Sequence, residues 1–200
     1  MPQRLSITGV SLEGRYDWDL IGYLQSEKYF RHCENTIREY FTLKDRHVAY
    51  LRSKYGHLLE ANCCSISVRR GDYLLVQHNY PVLSMNYYNR AMALMPSDTV
   101  YLVFSDAIGW CKRQFVDDRF FLIEEPSEVL SLHLISFCRN NIIANSTFGW
   151  WGGHGFFASA LEGSHDHESR IHSNLRTEYL GVWVWRRVSA QAHKGLQEIP

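Results

Sequence analysis

The sequence predicts an α/β protein built on an open sheet of parallel strands. Short apolar segments rich in β-branched residues predict strands at 63–68, 99–104, 119–123 and 141–145. Segments with helical periodicity separate these strands along the chain. Because strands that alternate with helices are joined by right-handed crossovers, they run parallel in one sheet. A chain of 200 residues is long enough for one domain with a core but short for two.

The helices are predicted from apolar spacing and from their end signals. They cover the middle of the aromatic-rich first segment (Ile37, Tyr40, Phe41), 84–95, the stretch from Trp110 to Phe115, and 127–138. Ser84 and Ser127 stand where helices prefer an N-cap, and Pro96 ends the second of these helices.

Composition limits the classes of function. Hydrophobic residues make up 46% and charged residues 21%, as in soluble folded proteins. Lys+Arg and Asp+Glu each total 21, so no global field gathers nucleic acid, and any anion site must be local. The longest apolar runs, such as "TVYLVF", are far shorter than the roughly 20 residues that span a bilayer. The N-terminus has no apolar core of signal-peptide type, which predicts a soluble chain that is not exported.

Cysteines and histidines do not predict a metal site. The five cysteines (Cys33, Cys63, Cys64, Cys111, Cys138) form no CxxC pair, so we expect structural thiols. His165, His167 and His172 lack a helical i,i+4 pair and a fitting cysteine, which argues against zinc.

Polar clusters follow three of the predicted strands. They are Arg69-Arg70-Gly71-Asp72, Ser105-Asp106 and Asn145-Ser146-Thr147. Ligands of open α/β sheets bind beyond the carboxyl ends of the strands, so these clusters should converge on one site.

The first cluster suits a diphosphate, because a guanidinium stays charged and forks onto two oxygens at once. Alternation along an extended chain sends Arg69 and Arg70 to opposite sides. We therefore expect one arginine to face the ligand and the other to pair with Asp72 or another carboxylate. Gly71 permits a turn or a close approach that a Cβ would block.

The other two clusters complete the predicted site. Ser146 and Thr147, at the start of a helix, form a second anion cradle. Asp106 is placed to accept a hydrogen bond from a ribose hydroxyl or a base edge. Together the clusters predict a site for a nucleoside diphosphate.

Simpler interpretations exist for each motif. Paired arginines are often a solvated surface pair, and Ser146-Thr147 is by default a helix cap. Asn145-Ser146-Thr147 matches a glycosylation sequon. Arg70-Gly71-Asp72 spells an adhesive tripeptide, but such a tripeptide must lie on an exposed tip, and this one follows a core strand.

The segments "SVRRGDY", "VFSDAIGWCK" and "NSTFGWWGG", with "GYLQSEKYF…IREYF" upstream, resemble the α-1,2-fucosyltransferases of glycosyltransferase family 11 over roughly residues 12–153. The resemblance implies transfer of L-fucose from GDP-fucose to the 2-hydroxyl of a galactose-terminated glycan, with inversion and without a metal. It also implies a two-lobed, GT-B-like fold with facing Rossmann-like halves. The implied location is at a membrane, either its cytoplasmic face in bacteria or the Golgi in animals.

The resemblance also implies roles for individual residues. Arg69 or Arg70 would bind the β-phosphate, Asp72 would support the loop, and Asp106 would lie near the nucleoside. Asp72 and Asp106 are both candidates for the base that activates the acceptor. The catalytic candidates are Arg69, Arg70 and Asp72, and the donor-binding candidates are Ser67, Gly71, Ser105, Asp106, Asn145, Ser146, Thr147 and Phe148.

Three departures from the family bear on activity. Ser67 stands where the family has histidine, the family's "GGLGNQMFQYA" segment has no counterpart, and the match ends after Gly153. We therefore divide the chain into a short segment 1–14, a donor-binding α/β domain 15–153 and a divergent tail 154–200. A shift of reading frame near 152–154 is our hypothesis for the tail, which we expect to be solvated or disordered, with a strand at "YLGVWVW" as the alternative. An inactive fragment that at most binds GDP-sugar is the alternative to a working transferase.

Overall fold

A computed structural model describes residues 29–154 and the two strand segments 174–179 and 182–187. The strands are β1 (Cys63–Val68), β2 (Val100–Ser105), β3 (Phe120–Leu122), β4 (Asn140–Ile142), β5 (Asn174–Tyr179) and β6 (Val182–Arg187). The helices are α1 (Glu34–Tyr40), α2 (Asp45–Leu59), α3 (Met85–Met92), α4 (Ile108–Gln114), α5 (Glu128–Phe137) and α6 (Thr147–Gly153). Short 3₁₀ helices cover Arg31–Cys33 and Asp72–Leu75.

The strands form one sheet in the order β3-β2-β1-β4-β6-β5. The pairs β1–β2, β1–β4 and β2–β3 are parallel, which confirms the predicted open, Rossmann-like α/β sheet. The register sets Val68 opposite Ser105, so the polar clusters that follow β1 and β2 begin at the same height on the sheet. β4 ends at Ile142, three residues before the predicted end of that strand.

The tail contributes two strands to the sheet. β6 pairs antiparallel with β4, and β5 pairs antiparallel with β6. For "YLGVWVW" the strand alternative is the one found, since β6 covers its "VWVW" part, which is rich in β-branched and aromatic residues. β5 was not predicted. The segment 1–14 and the histidines at 165, 167, 172 and 193 lie outside the described residues.

Two apolar clusters pack on opposite faces of the sheet, because alternate residues of each strand point to opposite sides. Cys64, Ile66 and Tyr101 belong to the face that carries α3 and α4. Cys63 and Leu102 belong to the face that carries α2 and α5. All five cysteines lie among the described residues as free thiols, and both members of the adjacent pair are buried.

Helix α2 escaped prediction, although its apolar spacing is helical. Val48, Leu51, Tyr55 and Leu58 are its buried residues, and they follow one another at three- and four-residue intervals. Its solvent side carries Tyr50 and Lys54, and both donate hydrogen bonds to Glu125.

Gly152 sets the distance between α6 and α5. A Cβ built at Gly152 would lie 2.6 Å from Ile135 Cγ2 and 3.0 Å from Ile135 Cβ, both stiff atoms of a buried β-branched side chain. We expect Gly152→Ala to lower the free energy of unfolding by about 1–3 kcal/mol through overpacking, measured by urea denaturation. Gly56→Ala is the matched control, because no atom lies within 4 Å of a Cβ there and alanine favours a helix interior. Equal stability of Gly152→Ala and the parent chain would contradict this account of the contact.

His133 makes stability depend on pH. Burial, with a smaller contribution from His47, lowers the pKa of His133 to about 4. Its folded pKa lies below the unfolded value of about 6.5, so the unfolded chain takes up the proton first as the pH falls. Stability should therefore be full above pH 6.5 and should fall by about 2 kcal/mol from this residue between pH 6.5 and pH 5. Urea midpoints measured at both pH values should differ less in His133→Leu than in the parent, and an unchanged difference would refute the assignment.

Candidate functional site

Asp106, just after β2, holds the loop that follows β1. Its Oδ1 accepts from the backbone N–H of Arg70 at 2.9 Å, and its Oδ2 accepts from the backbone N–H of Gly71 at 2.9 Å. Arg69 Nη1 lies 3.0 Å from the same Oδ2. A carboxylate has about four acceptor positions, so three of those of Asp106 are used in bracing the loop.

Gly71 is required for this close approach. A Cβ at Gly71 would lie 2.8 Å from Asp106 Oδ2, closer than a carbon and an oxygen can pack. The sequence predicted a turn or a close approach at Gly71, and the structure places the Asp106 carboxylate in close contact there.

Arg69 and Arg70 leave the strand on different sides, as alternation predicts. Arg69 Nη2 pairs with Asp72 Oδ2 at 2.9 Å, and its guanidinium lies over the Tyr73 ring at 5.3 Å. Arg70 instead lies over the Trp110 ring, with its guanidinium carbon 4.5 Å from the ring centroid. The sequence predicted that one arginine faces a ligand and the other pairs with a carboxylate. In the structure Arg69 pairs with two carboxylates and also lines a cleft.

A cleft of about 460 Å³ runs along the carboxyl ends of β1, β2 and β3 and past the start of α6. Of the predicted site residues it is lined by Ser67, Arg69, Ser105, Asp106, Ser146, Thr147 and Phe148. Arg70, Gly71, Asp72 and Asn145 are not among the residues that line it. Members of all three clusters thus line one cleft at the carboxyl edge of the sheet.

Ser67 carries a buried hydroxyl that points to a ligand. The residue is 5% exposed and lines the cleft, and its Oγ has no hydrogen-bond partner among the described residues. Buried hydroxyl groups in proteins are nearly always hydrogen-bonded, so this one can accept or donate a bond to a group that enters the cleft.

The third cluster is partly occupied by structural bonds. Asn145 donates from its side-chain Nδ2 to the backbone carbonyl of Pro81 at 3.0 Å. The backbone carbonyl of Asn145 accepts from the Tyr73 hydroxyl at 3.2 Å. Ser146 caps α6 by accepting from the backbone N–H of Gly149 at 3.2 Å. Ser105 likewise accepts from the backbone N–H of Ala107 at 2.9 Å. These side chains fix the cleft wall.

Glu125, which follows β3, is a site residue that the sequence did not reveal. Its side chain is 2% exposed, yet it lines the cleft. Its Oε2 accepts from Lys54 Nζ at 3.0 Å, from the Tyr50 hydroxyl at 3.0 Å and from the Tyr55 hydroxyl at 3.3 Å. Burial raises the pKa of Glu125, but the bonds from Lys54 and Tyr50 outweigh it and hold the pKa below the usual value. The apolar spacing of α2 predicts a helix, but no sequence signal links that helix to Glu125.

Two absences among the described residues bear on other functions. No group of three or more His, Cys, Asp or Glu side chains is arranged there to hold a metal ion. No helix among them has the length and apolarity needed to cross a bilayer.

Proteins that bind nucleotides often do so at the carboxyl edge of an open parallel sheet. This chain has such a sheet, with Arg69 and the hydroxyl of Ser67 in a cleft at that edge. A family model, "Glycosyl transferase family 11", matches residues 10–160, and the chain belongs to that family. The match runs past Gly153, where the motif resemblance ended.

Curated relatives are of three kinds. The chain is 37% identical over 102 residues to the O-antigen biosynthesis glycosyltransferase WbnK of Escherichia coli, which covers 46% of this chain and 34% of the relative. It is 29% identical over 150 residues to an Escherichia coli alpha-1,2-colitosyltransferase, with 67% and 50% covered. It is 28% identical over 147 residues to the rat galactoside alpha-(1,2)-fucosyltransferase 2, with 65% and 41% covered. The chain thus spans half or less of the length of these relatives, and no solved structure matches it.

Amide hydrogen exchange can test whether Asp106 holds the loop in place. In Asp106→Asn only one oxygen can accept, so at least one of the Arg70 and Gly71 N–H groups loses its partner. We expect exchange of these amides to speed up by about tenfold or more, as for loss of a hydrogen bond to a charged group. Asp98→Asn is the control, because Asp98 precedes β2 whereas Asp106 follows it. This variant should leave the exchange rates of these amides unchanged. Unaltered exchange in Asp106→Asn would show that the loop is held by other contacts.

Proposed function

We propose that this chain forms the donor-binding part of an enzyme that transfers L-fucose from GDP-fucose to the 2-hydroxyl of a galactoside. The reaction proceeds with inversion and forms an α-1,2 linkage. The observation that carries the proposal is Arg69, held at the end of β1 between Asp72 and Asp106 and bordering the cleft. Membership of the family and the relatives named galactoside fucosyltransferases support the choice of donor and acceptor.

Arg69 acts on the leaving group. When the bond between the fucose anomeric carbon and the phosphate oxygen breaks, that oxygen gains negative charge as part of GDP. A guanidinium already fixed beside it stabilises this charge without reorganising, which lowers the barrier. Arg69 has five N–H donors, so it can bind phosphate oxygens while it keeps a bond to Asp106.

Ser67 is the second contact to the donor in this proposal. Its hydroxyl has no hydrogen-bond partner among the described residues and gains one when a phosphate or sugar oxygen enters the cleft. The pair of Ser67 and Arg69 lies at the end of one strand, separated by a single residue. Thr147 and Phe148 line the same end of the cleft from α6.

The acceptor hydroxyl must lose a proton as it attacks the anomeric carbon. Of the two carboxylates considered, Asp106 is occupied by three donors, whereas Asp72 is 62% exposed and bonded to Arg69. Asp72 is therefore the better candidate for the base, and Asp106 positions the loop. No metal takes part in this scheme.

The second candidate is a GDP-sugar binder without turnover. The observation that favours it is the length of the match, which reaches half or less of each relative described above. Binding of GDP is common to both candidates, and transfer distinguishes them.

Arg69→Ala and Arg70→Ala form a matched pair for the test, because the two arginines are neighbours but only Arg69 borders the cleft. GDP should raise the melting temperature of the parent chain, since a ligand that binds only the folded state stabilises it. Arg69→Ala should weaken GDP binding by about tenfold or more, whereas Arg70→Ala should retain most of the affinity. Binding should be the same with a chelator present.

Turnover is then measured with GDP-fucose and a galactoside acceptor. GDP release that depends on the acceptor supports the transferase, and Arg69-dependent binding without release supports the silent binder. Equal GDP affinity in Arg69→Ala and the parent would overturn both candidates.

A further inference from the structure

Two buried cysteines lie beside each other at the amino ends of neighbouring strands. Cys63 is the first residue of β1, and Cys138 directly follows α5, two residues before β4 begins. The cleft lies at the opposite, carboxyl ends of the strands. Neither cysteine lines the cleft, so an inference about this pair is independent of the proposed function.

The register of the sheet brings the two cysteines to disulfide distance. β1 and β4 are parallel neighbours, and Cys64 pairs with Asn140. Continuing that register backwards sets Cys63 opposite Arg139, the residue that follows Cys138. The backbone of Cys138 is extended, with ψ of 145°. The two Cα atoms are therefore one strand spacing and one residue apart, or about 6 Å, and disulfides span about 4.4–6.8 Å.

Both side chains lie in the same apolar cluster, the one on the face of the sheet that carries α2 and α5. Each of the two residues is 1% exposed. A hydrogen bond from the Cys138 thiol is the main cause that lowers the pKa of Cys63 to about 7, against the opposing effect of burial. Cys63 therefore has thiolate character at neutral pH, and the thiolate is the reactive form of a cysteine.

Cys64 is a natural control for this pair. It adjoins Cys63 in sequence, but it belongs to the cluster on the other face of the sheet. Cys111 is in that second cluster too, but it lies in α4, after the carboxyl end of β2, whereas Cys64 is near the amino end of β1. Only the position of Cys63 therefore combines the right face and the right height for a bond to Cys138.

A small oxidant needs only a local opening to reach the pair. Asn62, just before Cys63, is half-buried, and Arg139, just after Cys138, is exposed. The two thiols are thus one residue away from solvent along the chain. Fraying of a strand end is among the least costly openings of a folded protein.

We propose that Cys63 and Cys138 are a modification site, where a hydroperoxide forms a reversible disulfide that ties the start of β1 to the connection between α5 and β4. The Cys63 thiolate attacks one peroxide oxygen, which gives a sulfenic acid and releases the other oxygen as water after protonation. The Cys138 sulfur then attacks Cys63 Sγ, forms the S–S bond and expels the sulfenic oxygen as a second water. Two thiols lose two protons and two electrons, and one hydrogen peroxide becomes two waters.

The test treats the folded 200-residue chain with hydrogen peroxide, in a Cys33→Ser background that removes the half-buried thiol. The four remaining thiols, counted with a thiol reagent after denaturation, should fall to two, and dithiothreitol should restore four. A tryptic digest should contain peptide 55–69 linked to peptide 120–139, identified by mass spectrometry. Cys63→Ala and Cys138→Ala should abolish this linked pair, and Cys64→Ala should keep it.

The disulfide should also raise the melting temperature by about 5 °C or more, because it closes a loop of about 75 residues in the unfolded chain. Four thiols remaining after treatment would overturn the proposal, and so would sulfinic acid at Cys63 without a bridge. A linked pair that persists in Cys63→Ala would overturn it as well. A bridged chain that melts no higher than the reduced chain would show that the bridge does not fit the folded sheet. The thiol count of the parent tests the proposal even if an alanine variant does not fold.

Discussion

The site depends on the hydrogen bonds and the ion pair that join the Asp106 carboxylate to the loop after β1. Two backbone N–H groups and one guanidinium of that loop converge on it. The contact is between parallel neighbours in the sheet, so β1 and β2 cannot shift in register without breaking it. It fixes where Arg69 stands, and it explains why Gly71 must lack a side chain. Arg69 is thus positioned by a carboxylate that itself has little capacity left for a ligand.

Ionic groups elsewhere in the cleft are also balanced by neighbouring side chains. Arg69 faces two carboxylates, so its positive charge is partly balanced before any phosphate enters. An arginine tolerates this because its five donors serve several oxygens at once, which a lysine ammonium does in a less directed way. Glu125 is the counterpart at the far end, an acid whose charge is balanced by Lys54 and two phenols. Each end of the cleft therefore keeps one ionic group braced by oppositely charged or polar neighbours from another element.

The sequence predicted the sheet and the convergence of its loops, because both follow from the connectivity of parallel strands. It also predicted that Arg69 and Arg70 diverge, since alternation requires it. It did not predict which arginine borders the cleft, because that depends on the register of β1 within the sheet. Asp106 was assigned to the nucleoside, and its bonds to the Arg70 and Gly71 backbone were not foreseen, because side-chain-to-backbone contacts between strands leave no pattern along the chain. Glu125 was missed for a related reason, as its importance comes from α2, some 70 residues earlier.

Donor binding and transfer are separable properties of such a cleft. The proposed contacts to the diphosphate, Ser67 and Arg69, both lie at the end of β1. Asp72, the candidate base, does not line the cleft, and its side chain is 62% exposed. The proposed binding of GDP therefore depends on other residues than the proposed transfer of the sugar. The affinity of the chain for nucleotides consequently reports on the strand-end residues, and turnover reports on what lies across from Asp72.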